Sequence, residues 1–433
     1  MIGVLEMRRA FRDGTLDPYD ALQERVGIAD ACEPWLHAFA YRPPAASLRI
    51  EPGPLGGIPI GVKDIIATSD MPTTNGSPIF RDHVPAHDAA IVQRIRALGG
   101  IVFGKTVTTE FAWRHPGPTV NPHHRSHTPG GSSSGSAAAV AAGIVPLALG
   151  TQTVGSIIRP AAFCGVVGFK PSFGTLPLDG VHPFAPSLDH LGLFARRVDD
   201  ITYAVGLLSR DGASLSNDHV PPPENALATG INAPAAPRLL FVTTSRWHMV
   251  DAEQKAVLQE SADLFASAGA IIDHAELPAA FEDVWGLLQV ILASEAAGGF
   301  GKIVASHPGQ TSPALQKIVE EGRHILPAAL AEARAAQTHL RGMLTAVLKD
   351  FDALLMVPAP GEAPAGLEDT GDATFCAPWS FTGVPAITLP AGWSRNGLPL
   401  GIQLVGAWQN DQALLRTTMW VETRLQWQTR PIG

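Results

Sequence analysis

The spacing of apolar and polar side chains predicts alternating helices and strands along most of the chain. Residues 1–40 carry apolar groups at helical spacing among charged ones, and an interval at 14–18 rich in turn residues divides them into two predicted helices. GGIPIGVKDII at 56–66 is a strand-like run, and IVFGKT at 101–106 follows a predicted helix capped by Asp88. Helices that alternate with strands are typical of an α/β sheet.

The second half of the chain continues this alternation. Residues 281–350 are predicted to be mostly helical, and three late strands lie in DALLMVPAP, AITLP and GIQLVG before a closing helix, DQALLRTTMWVETRL. Residues 210–238, rich in Pro, Asn, Asp and Ala, predict a long surface connection. No internal repeat or clean linker interrupts the pattern, so the sequence favours one continuous domain.

Composition narrows the class of protein. The 433 residues are 45% hydrophobic and 16% charged with a net charge of −9, and no Lys/Arg-rich run is present, so we expect no nucleic-acid partner. Three distant cysteines fit a reducing, cytoplasmic location. Charged residues within 1–20 argue against a signal peptide, and the longest apolar run, 137–150, is too short to span a bilayer, so no membrane partner is expected.

The stretch PGGSSSGS at 129–136 has three interpretations. Its composition fits a flexible linker, but its flanks do not change composition as a domain boundary would. GSSSG matches the nucleophile-elbow pattern with Ser133 at its centre, but Pro129 and the lack of a preceding strand argue against that context. The third interpretation is a tight loop whose hydroxyls and N–H groups surround a phosphate or a catalytic site, and no Walker pattern supports the phosphate.

Two further stretches bear on this choice. GTQTVGSIIRPAAFCG at 150–165 is a second turn rich in small polar residues, with Ser156 directly after Gly155. Lys63 lies inside the apolar strand predicted at 56–66. Such a lysine commonly extends its amine to water. The alternative is a lysine whose pKa is lowered by desolvation until it can accept a proton.

Together these stretches resemble the amidase signature family of serine hydrolases. The resemblance covers most of the chain and rests on several ordered matches rather than on one motif. The matching segments are LGGIPIGVKDIIATSDMPTTNGS (55–77), DAAIVQRIRALGGIVFGKTVTTEF (88–111), TPGGSSSGSAAAVAAG (128–143), GTQTVGSIIRPAAFCGVVGFKPS (150–172) and FTGVPAITLPAGWSRNGLPLGIQLVG with Asp411 (381–411).

The resemblance implies a Ser–cisSer–Lys triad. Ser156 would be the nucleophile, Ser132 would relay the proton from a cis peptide after Gly131, and neutral Lys63 would be the base. A serine hydroxyl needs a base to become a good nucleophile, and a lysine acts as that base only when it is desolvated. The implied oxyanion hole consists of the backbone N–H groups of Thr153, Val154, Gly155 and Ser156.

Other residues would support this site, and some depart from the family pattern G-T-D-T-G-G-S-I-R-x-P. The implied supporting residues are Gly130, Gly131, Ser133, Arg159 and Asp189. Gln152 stands in place of an Asp, Val154 in place of a Gly, and Ile158–Arg159 where Arg and an apolar residue are expected. These substitutions remove or relocate a charge pair and indicate a subfamily.

Aromatic and histidine residues give weaker signals. Trp113, Phe375 and Trp379 lie in loop-like segments, where core packing is the ordinary role and lining of a substrate pocket is the alternative. A loop carries His115, His123, His124 and His127. It lacks an H-E-x-x-H pattern, so a polar cleft wall or a surface loop is favoured over a metal site.

The implied protein is a hydrolase that cleaves a C–N acyl bond of a small-molecule amide, anilide or carbamate (urethanase activity), with esters as a further class. No metal or organic cofactor is implied, and a monomer or homodimer is expected. The alternatives are an amidotransferase subunit that acts on misacylated tRNA in a multi-subunit complex, and an inactive amidase-like scaffold.

The implied fold is a single α/β/α domain over residues 1–433 with a central mixed, mostly parallel twisted sheet. Its parts would be N-terminal helices at 1–50, a signature core with the catalytic residues at 55–205, variable substrate-shaping helices at 240–350, and a C-terminal sheet and helix at 351–433.

Overall fold

The structure is a computed structural model that describes residues 2–209, 235–425, 427–430 and 432. One large sheet runs through the described residues. Its strands are β1 (Phe39–Tyr41), β2 (Pro59–Lys63), β3 (Ile101–Thr106), β4 (Leu147–Gln152), β5 (Val167–Lys170), β6 (His190–Ala195), β7 (Arg238–Thr243), β8 (Ile271–Glu276), β9 (Ala353–Met356), β10 (Ala386–Trp393) and β11 (Pro399–Val405). The connection predicted at 210–238 lies, as far as residue 234, outside the described residues.

Helices occupy most of the intervals between these strands. They are α1 (Val4–Arg12), α2 (Pro18–Leu36), α3 (Ala90–Ala97), α4 (Ser134–Ala141), α5 (Ile158–Cys164), α6 (Val198–Leu208), α7 (Ala252–Ser267), α8 (Val284–Ser306), α9 (Pro313–Arg323), α10 (Pro327–Val347), α11 (Ala377–Thr382) and α12 (Asp411–Glu422). The two helices predicted in the first 40 residues are both present. Asp17 caps the second by accepting backbone N–H groups, with Pro18 at its first position.

The strand order is β1-β3-β2-β4-β6-β5-β10-β11-β9-β7-β8. β2 pairs in parallel with β3 and β4, and β7 pairs in parallel with β8 and β9. The other six pairings described are antiparallel. The single α/β domain with a mixed sheet is confirmed. Parallel pairing is confined to two groups of strands, because neighbours such as β10 and β11 are joined by a short hairpin.

Both faces of the sheet are covered by apolar side chains. Leu147 and Leu149 of β4 belong to one core cluster, and Ala148 between them belongs to a second cluster with the alanines of α4. Successive side chains of a strand point to opposite faces, so the two clusters lie on opposite sides of the sheet. This explains why residues 147–149 of β4 are apolar on both faces of the sheet.

The helix cap predicted at Asp88 is wrong. α3 begins at Ala90 and its N-cap is Ala89, without a side-chain cap. The Asp88 carboxylate instead accepts hydrogen bonds from the backbone and hydroxyl of Ser69 and pairs with Arg96. Asp88 therefore bonds to the side chains of Ser69 and Arg96 and to the Ser69 backbone instead of capping the first N–H groups of α3.

α8 and the turn before it form an unusually apolar segment. Ala279–Ser306 is the one helical segment among the described residues that is long and apolar enough to cross a membrane, with a mean hydropathy of 1.3. In this fold α8 packs against α9, α10 and α11.

A buried ion pair joins the ends of β2 and β3. Lys105 Nζ lies 3.3 Å from Asp64 Oδ1, and both side chains are almost fully buried. Lys105 also donates to the Ile66 carbonyl at 2.8 Å and to Thr73 Oγ1 at 2.5 Å. The Asp64 carboxylate accepts the backbone N–H and the hydroxyl of Thr74. Burial raises the pKa of Asp64 and lowers that of Lys105 to about 8, and the pairing opposes both shifts.

We expect Lys105→Met to lower the free energy of unfolding by about 3–5 kcal/mol, because it leaves the Asp64 carboxylate buried without its cation. Denaturant unfolding followed by circular dichroism measures this loss. The control Lys317→Met removes an exposed pair with Glu321, 3.9 Å apart, and should cost less than about 1 kcal/mol. Equal losses in the two variants would contradict a structural role for the buried pair.

Candidate active site

The predicted triad lies on three chain segments at one edge of the sheet. Lys63 is the last residue of β2, Ser132 lies in the loop before α4, and Ser156 lies in the turn between β4 and α5. β2 and β4 are parallel neighbours, with Val62 paired to Leu149. The carboxyl ends of parallel neighbours lie side by side, so polar residues that end or follow these strands share one buried region.

Lys63 has no access to solvent, and hydroxyl groups hold its amine. Lys63 Nζ lies 2.7 Å from Ser132 Oγ and 2.7 Å from Thr151 Oγ1, and its exposed fraction is 0%. Burial lowers the pKa of Lys63 far below that of an ordinary lysine, and the Asp189 carboxylate opposes this shift. A neutral amine can donate to Thr151 and accept the proton of Ser132, which is the arrangement that a base requires.

The Gly/Ser stretch is buried, so it is not a linker. Residues 128–143 are buried throughout. Gly130 has φ +80° and packs so closely that a Cβ there would lie 2.8 Å from Pro160 Cα, which only glycine tolerates. Ser133 is fully enclosed and its hydroxyl bonds to the backbone of Thr151, so the elbow interpretation fails as well.

The peptide bond Gly131–Ser132 is cis, as the resemblance implies. Arg159 Nη2 donates to the Gly131 carbonyl at 2.6 Å and to Thr370 Oγ1 at 3.1 Å. Arg159 is therefore the residue that fixes the peptide preceding Ser132. Burial lowers the pKa of the Arg159 guanidinium.

The turn after β4 presents a row of free backbone donors. The N–H groups of 153–156 have no acceptor among the residues that the structure describes, whereas those of Ile157 and Ile158 bond to Gln152 Oε1 at 2.8 and 3.0 Å. Ser156 is 9% exposed. Consecutive free N–H groups form a concave site that favours negative charge. This geometry fits the implied oxyanion hole beside Ser156.

Asp189 supports one end of this row. Its carboxylate accepts the Thr153 hydroxyl at 2.6 Å and the backbone N–H groups of Phe184 and Ala185 at 2.8 and 3.0 Å. Burial raises the pKa of Asp189 to about 6 against the opposing effect of these hydrogen bonds. The matched aspartate therefore orients Thr153 and adds negative charge near Lys63.

The backbone of Val154 does not adopt the positive φ that favours glycine. Its side chain is partly exposed, while the other residues of the hole are buried. The substitution of a glycine at this position is therefore compatible with the backbone of the turn.

The expected charge pair is replaced by neutral contacts. Gln152 is fully buried, its Oε1 accepts two backbone N–H groups at the start of α5, and its Nε2 donates to Ser380 Oγ at 2.9 Å. Ile158, in the place of the expected arginine, is part of the hydrophobic core. The arginine one position later, Arg159, has been relocated to the Gly131 carbonyl.

Sequence reasoning missed three residues of this site. Thr151 contacts Lys63, Thr370 contacts Arg159, and Ser380 contacts Gln152. Thr151 lies inside the matched GTQT segment and could have been singled out there. Thr370 and Ser380 come from distant parts of the chain and carry no local signal.

A late loop closes one side of the site. A Cβ at Gly155 would lie 2.7 Å from Ala373 Cβ and 3.2 Å from Cys376 Cβ, so both residues pack directly on the hole. Phe375 and Trp379 are enclosed in the main hydrophobic core, at 1% and 0% exposure, which matches the core-packing alternative.

Trp113 also packs in that core. It stacks on Phe184 with ring centroids 4.8 Å apart, and its Nε1 donates to the Ala314 carbonyl at 3.2 Å. This contact ties the signature core to the start of α9.

The histidines do not form a metal centre. No group of three or more metal-ligating side chains occurs in the described parts of the chain. His124 is exposed and its ring lies 4.1 Å from that of His127. His123 bonds to the Cys164 carbonyl at 3.0 Å. The surface-loop interpretation therefore fits His124, and His115 is exposed as well.

Comparisons with known proteins identify the family of the chain. The chain is 30% identical to a glutamyl-tRNA(Gln) amidotransferase subunit of Halothermothrix orenii, over 98% of this chain and 97% of that protein. A solved amidase structure has a TM-score of 0.84 at 29% identity and covers 98% of this chain and 100% of its own. The peptide amidase of Stenotrophomonas maltophilia has a TM-score of 0.80 at 27% identity, covering 100% and 98%. The sequence model of the Amidase family matches residues 15–415, so the chain belongs to the amidase signature family.

Proposed function

We propose that this chain hydrolyses C–N acyl bonds through an acyl-enzyme on Ser156, with Ser132 as proton relay and Lys63 as base. The observation that carries the proposal is the buried contact between Lys63 Nζ and Ser132 Oγ, 2.7 Å long. Membership of the amidase signature family supports amide hydrolysis as the class of chemistry.

The first half-reaction forms the acyl-enzyme. Ser156 Oγ attacks the substrate carbonyl, its proton passes to Ser132, and the proton of Ser132 passes to Lys63. The C–N bond then breaks, and the proton returns from Lys63 through Ser132 to the leaving nitrogen. In the second half-reaction a water molecule gives its proton to Lys63 by the same route and attacks the acyl carbon. The bond between that carbon and Ser156 Oγ then breaks, the proton returns through Ser132 to Ser156 Oγ, and the acid leaves.

The row of free N–H groups at 153–156 would hold the negative oxygen of both tetrahedral intermediates. One such donor contributes roughly 3 kcal/mol to lowering the barrier. Asp189, bonded to the Thr153 hydroxyl, would keep the first of these donors in place.

The proposed substrates are small amides, anilides and carbamates, with esters as a further class, since each presents a carbonyl to the same hole. The side chains of the triad supply the whole proposed proton path, so we expect no metal or organic cofactor.

We also propose that the protein acts in the cytoplasm as a monomer or homodimer without a membrane or nucleic-acid partner. Its cysteines are free, which supports a reducing compartment.

A second candidate function is that of an amidotransferase component. The 30% identity to the glutamyl-tRNA(Gln) amidotransferase subunit of Halothermothrix orenii, over nearly the full length of both proteins, favours it. The net charge of −9 and the lack of a Lys/Arg-rich run favour a small-molecule hydrolase.

The two candidates differ in what they need for activity. We expect the purified chain alone to hydrolyse simple amides, because all three residues of the proposed triad come from one chain. Amide hydrolysis is measured with and without Glu-tRNA(Gln) and added amidotransferase partner subunits. Activity that depends on the tRNA and the partners would favour the second candidate, and a rate unchanged by them favours the first.

We expect a fluorophosphonate to label Ser156, because an activated serine attacks phosphorus as it attacks a carbonyl. Digestion and mass spectrometry locate the adduct, and Ser156→Ala should abolish it. An adduct on another serine would overturn the proposed nucleophile, and no adduct on a folded protein would favour an inactive scaffold.

The reaction should depend on pH through Lys63. Because burial lowers the pKa of Lys63, its neutral form is available at a lower pH than in an ordinary lysine, and activity should fall as the pH drops through that lowered pKa and Lys63 gains its proton. Lys63→Met should lower kcat by roughly 10²–10⁴-fold. Lys63→Arg keeps a long basic side chain, but its guanidinium stays protonated and cannot accept a proton, so the variant should be equally inactive. Near-wild-type rates in either variant would rule out Lys63 as the base.

A further inference from the structure

A chain of hydrogen bonds leads from Gln152 to the oxyanion hole. Gln152 Nε2 lies 2.9 Å from Ser380 Oγ, and Ser380 Oγ lies 2.6 Å from the Val154 carbonyl oxygen. Gln152 and Ser380 are both 0% exposed. Ser380 belongs to α11, more than two hundred residues away from the turn that it contacts.

The direction of these bonds follows from counting protons. The Val154 carbonyl can only accept, so the single proton of the Ser380 hydroxyl must go to it. The lone pairs of the Ser380 oxygen can then accept a hydrogen bond, and the Gln152 amide donates one. A glutamine can donate to Ser380 while its oxygen accepts from Ile157 and Ile158, as it does here. An ionised carboxylate at position 152 could accept only, and it would compete for the proton of Ser380.

The Val154 carbonyl and the Gly155 N–H belong to the same peptide group. A hydrogen bond donated to the carbonyl polarises the whole group and makes its N–H a stronger donor. The same bond also fixes the plane of the peptide, and thus the direction of the Gly155 N–H. Ser380 therefore acts on a donor of the oxyanion hole without touching the substrate.

Electrostatics favours a neutral group at position 152. Negative charge develops in the hole during the reaction, and a carboxylate nearby would repel it. Ile158 offers no positive charge to balance such a carboxylate, and Arg159 is bound to the Gly131 carbonyl. Gln152 keeps all the hydrogen bonds of the turn without adding a charge.

We propose that Gln152 and Ser380 are positioning residues that orient and polarise the Gly155 N–H of the oxyanion hole. This inference rests on the proposed function, because the hole acts only if Ser156 is the nucleophile. The inference gives Ser380 of α11, and the glutamine that stands in place of the family's aspartate, an effect on the rate of the reaction.

The test measures saturation kinetics of fluorophosphonate labelling, which needs no knowledge of the natural substrate. The phosphonyl oxygen occupies the hole during the reaction, whereas reversible binding of the probe does not depend on it. Ser380→Ala and Gln152→Met should therefore lower the maximal labelling rate by roughly 10-fold, less than the 10²–10³-fold loss for a whole donor. The half-saturating probe concentration should stay within about twofold of wild type, because the hole acts on the transition state.

Matched controls separate this effect from loss of packing. Gln254 is also a buried glutamine whose Nε2 donates to a backbone carbonyl, that of Gly401 at 2.8 Å. Ser261 is a buried serine whose hydroxyl donates to the Val257 carbonyl at 2.7 Å. Both lie on α7. Gln254→Met and Ser261→Ala should leave the labelling rate of the folded protein unchanged.

A glutamate at position 152 gives a second readout that a purely structural role would not move. In Gln152→Glu the ionised carboxylate cannot donate to Ser380, but the protonated form can. The labelling rate of this variant relative to wild type should therefore rise as the pH falls, while the relative rate of Gln152→Met stays flat. The variant Gln152→Met adds no charge, so the titratable groups near this turn act equally in it and in wild type, and its flat ratio is the baseline for Gln152→Glu. These groups are Lys63, Arg159, Lys170, Asp189, His190 and Cys376.

The outcomes distinguish the inference from the function on which it rests. An unlabelled wild-type protein would overturn the proposed function itself. A labelled wild type with unchanged rates in Ser380→Ala and Gln152→Met would overturn the positioning role alone. A flat pH ratio for Gln152→Glu would overturn the assigned direction of the hydrogen bonds.

Discussion

The contact between the Lys63 amine and the Ser132 hydroxyl, sealed from water, is the constraint on which the rest of the site depends. A lysine buried at the end of β2 is costly to keep charged, so burial favours its neutral form, and the buried amine needs polar partners within reach. Ser132 and Thr151 supply them at 2.7 Å. The parallel pairing of β2 with β4 places Thr151 beside Lys63, and the closely packed glycine loop brings Ser132 to it.

The remainder of the site is held by groups that stay out of the proton path. Arg159 fixes the Gly131 carbonyl, and Asp189 fixes Thr153. Gln152 and Ser380 form a chain of hydrogen bonds to the Val154 carbonyl, in the turn that carries the free N–H groups. The side-chain polar atoms of Asp189, Gln152 and Ser380 are buried and paired, so fixed hydrogen-bonding groups surround the proposed base. This is the kind of preorganised environment that stabilises developing charge without reorganisation.

The site also depends on both halves of the chain. The proposed triad, the proposed oxyanion hole and Asp189 all come from the first two hundred residues, whereas Thr370, Ala373 and Ser380 come from the last seventy. β10 pairs with β5 in the sheet, and this pairing brings the late segments against the early ones. The mixed sheet is therefore what joins the catalytic segments to the residues that close over them.

The sequence by itself determined the α/β class and the order of most elements, because these depend on local periodicity. Its contiguous motifs also led to the proposal of Lys63, Ser132 and Ser156 as a triad. It left open whether PGGSSSGS was a linker or a rigid loop, since small residues fit both. Only the tertiary structure decided that this loop is buried and closely packed, that Arg159 bonds to the Gly131 carbonyl, and that Thr370 and Ser380 belong to the site. Each of those depends on contacts between segments far apart in the chain, and burial, which sets both the pKa of Lys63 and the pairing of Gln152, exists only once those segments have packed together.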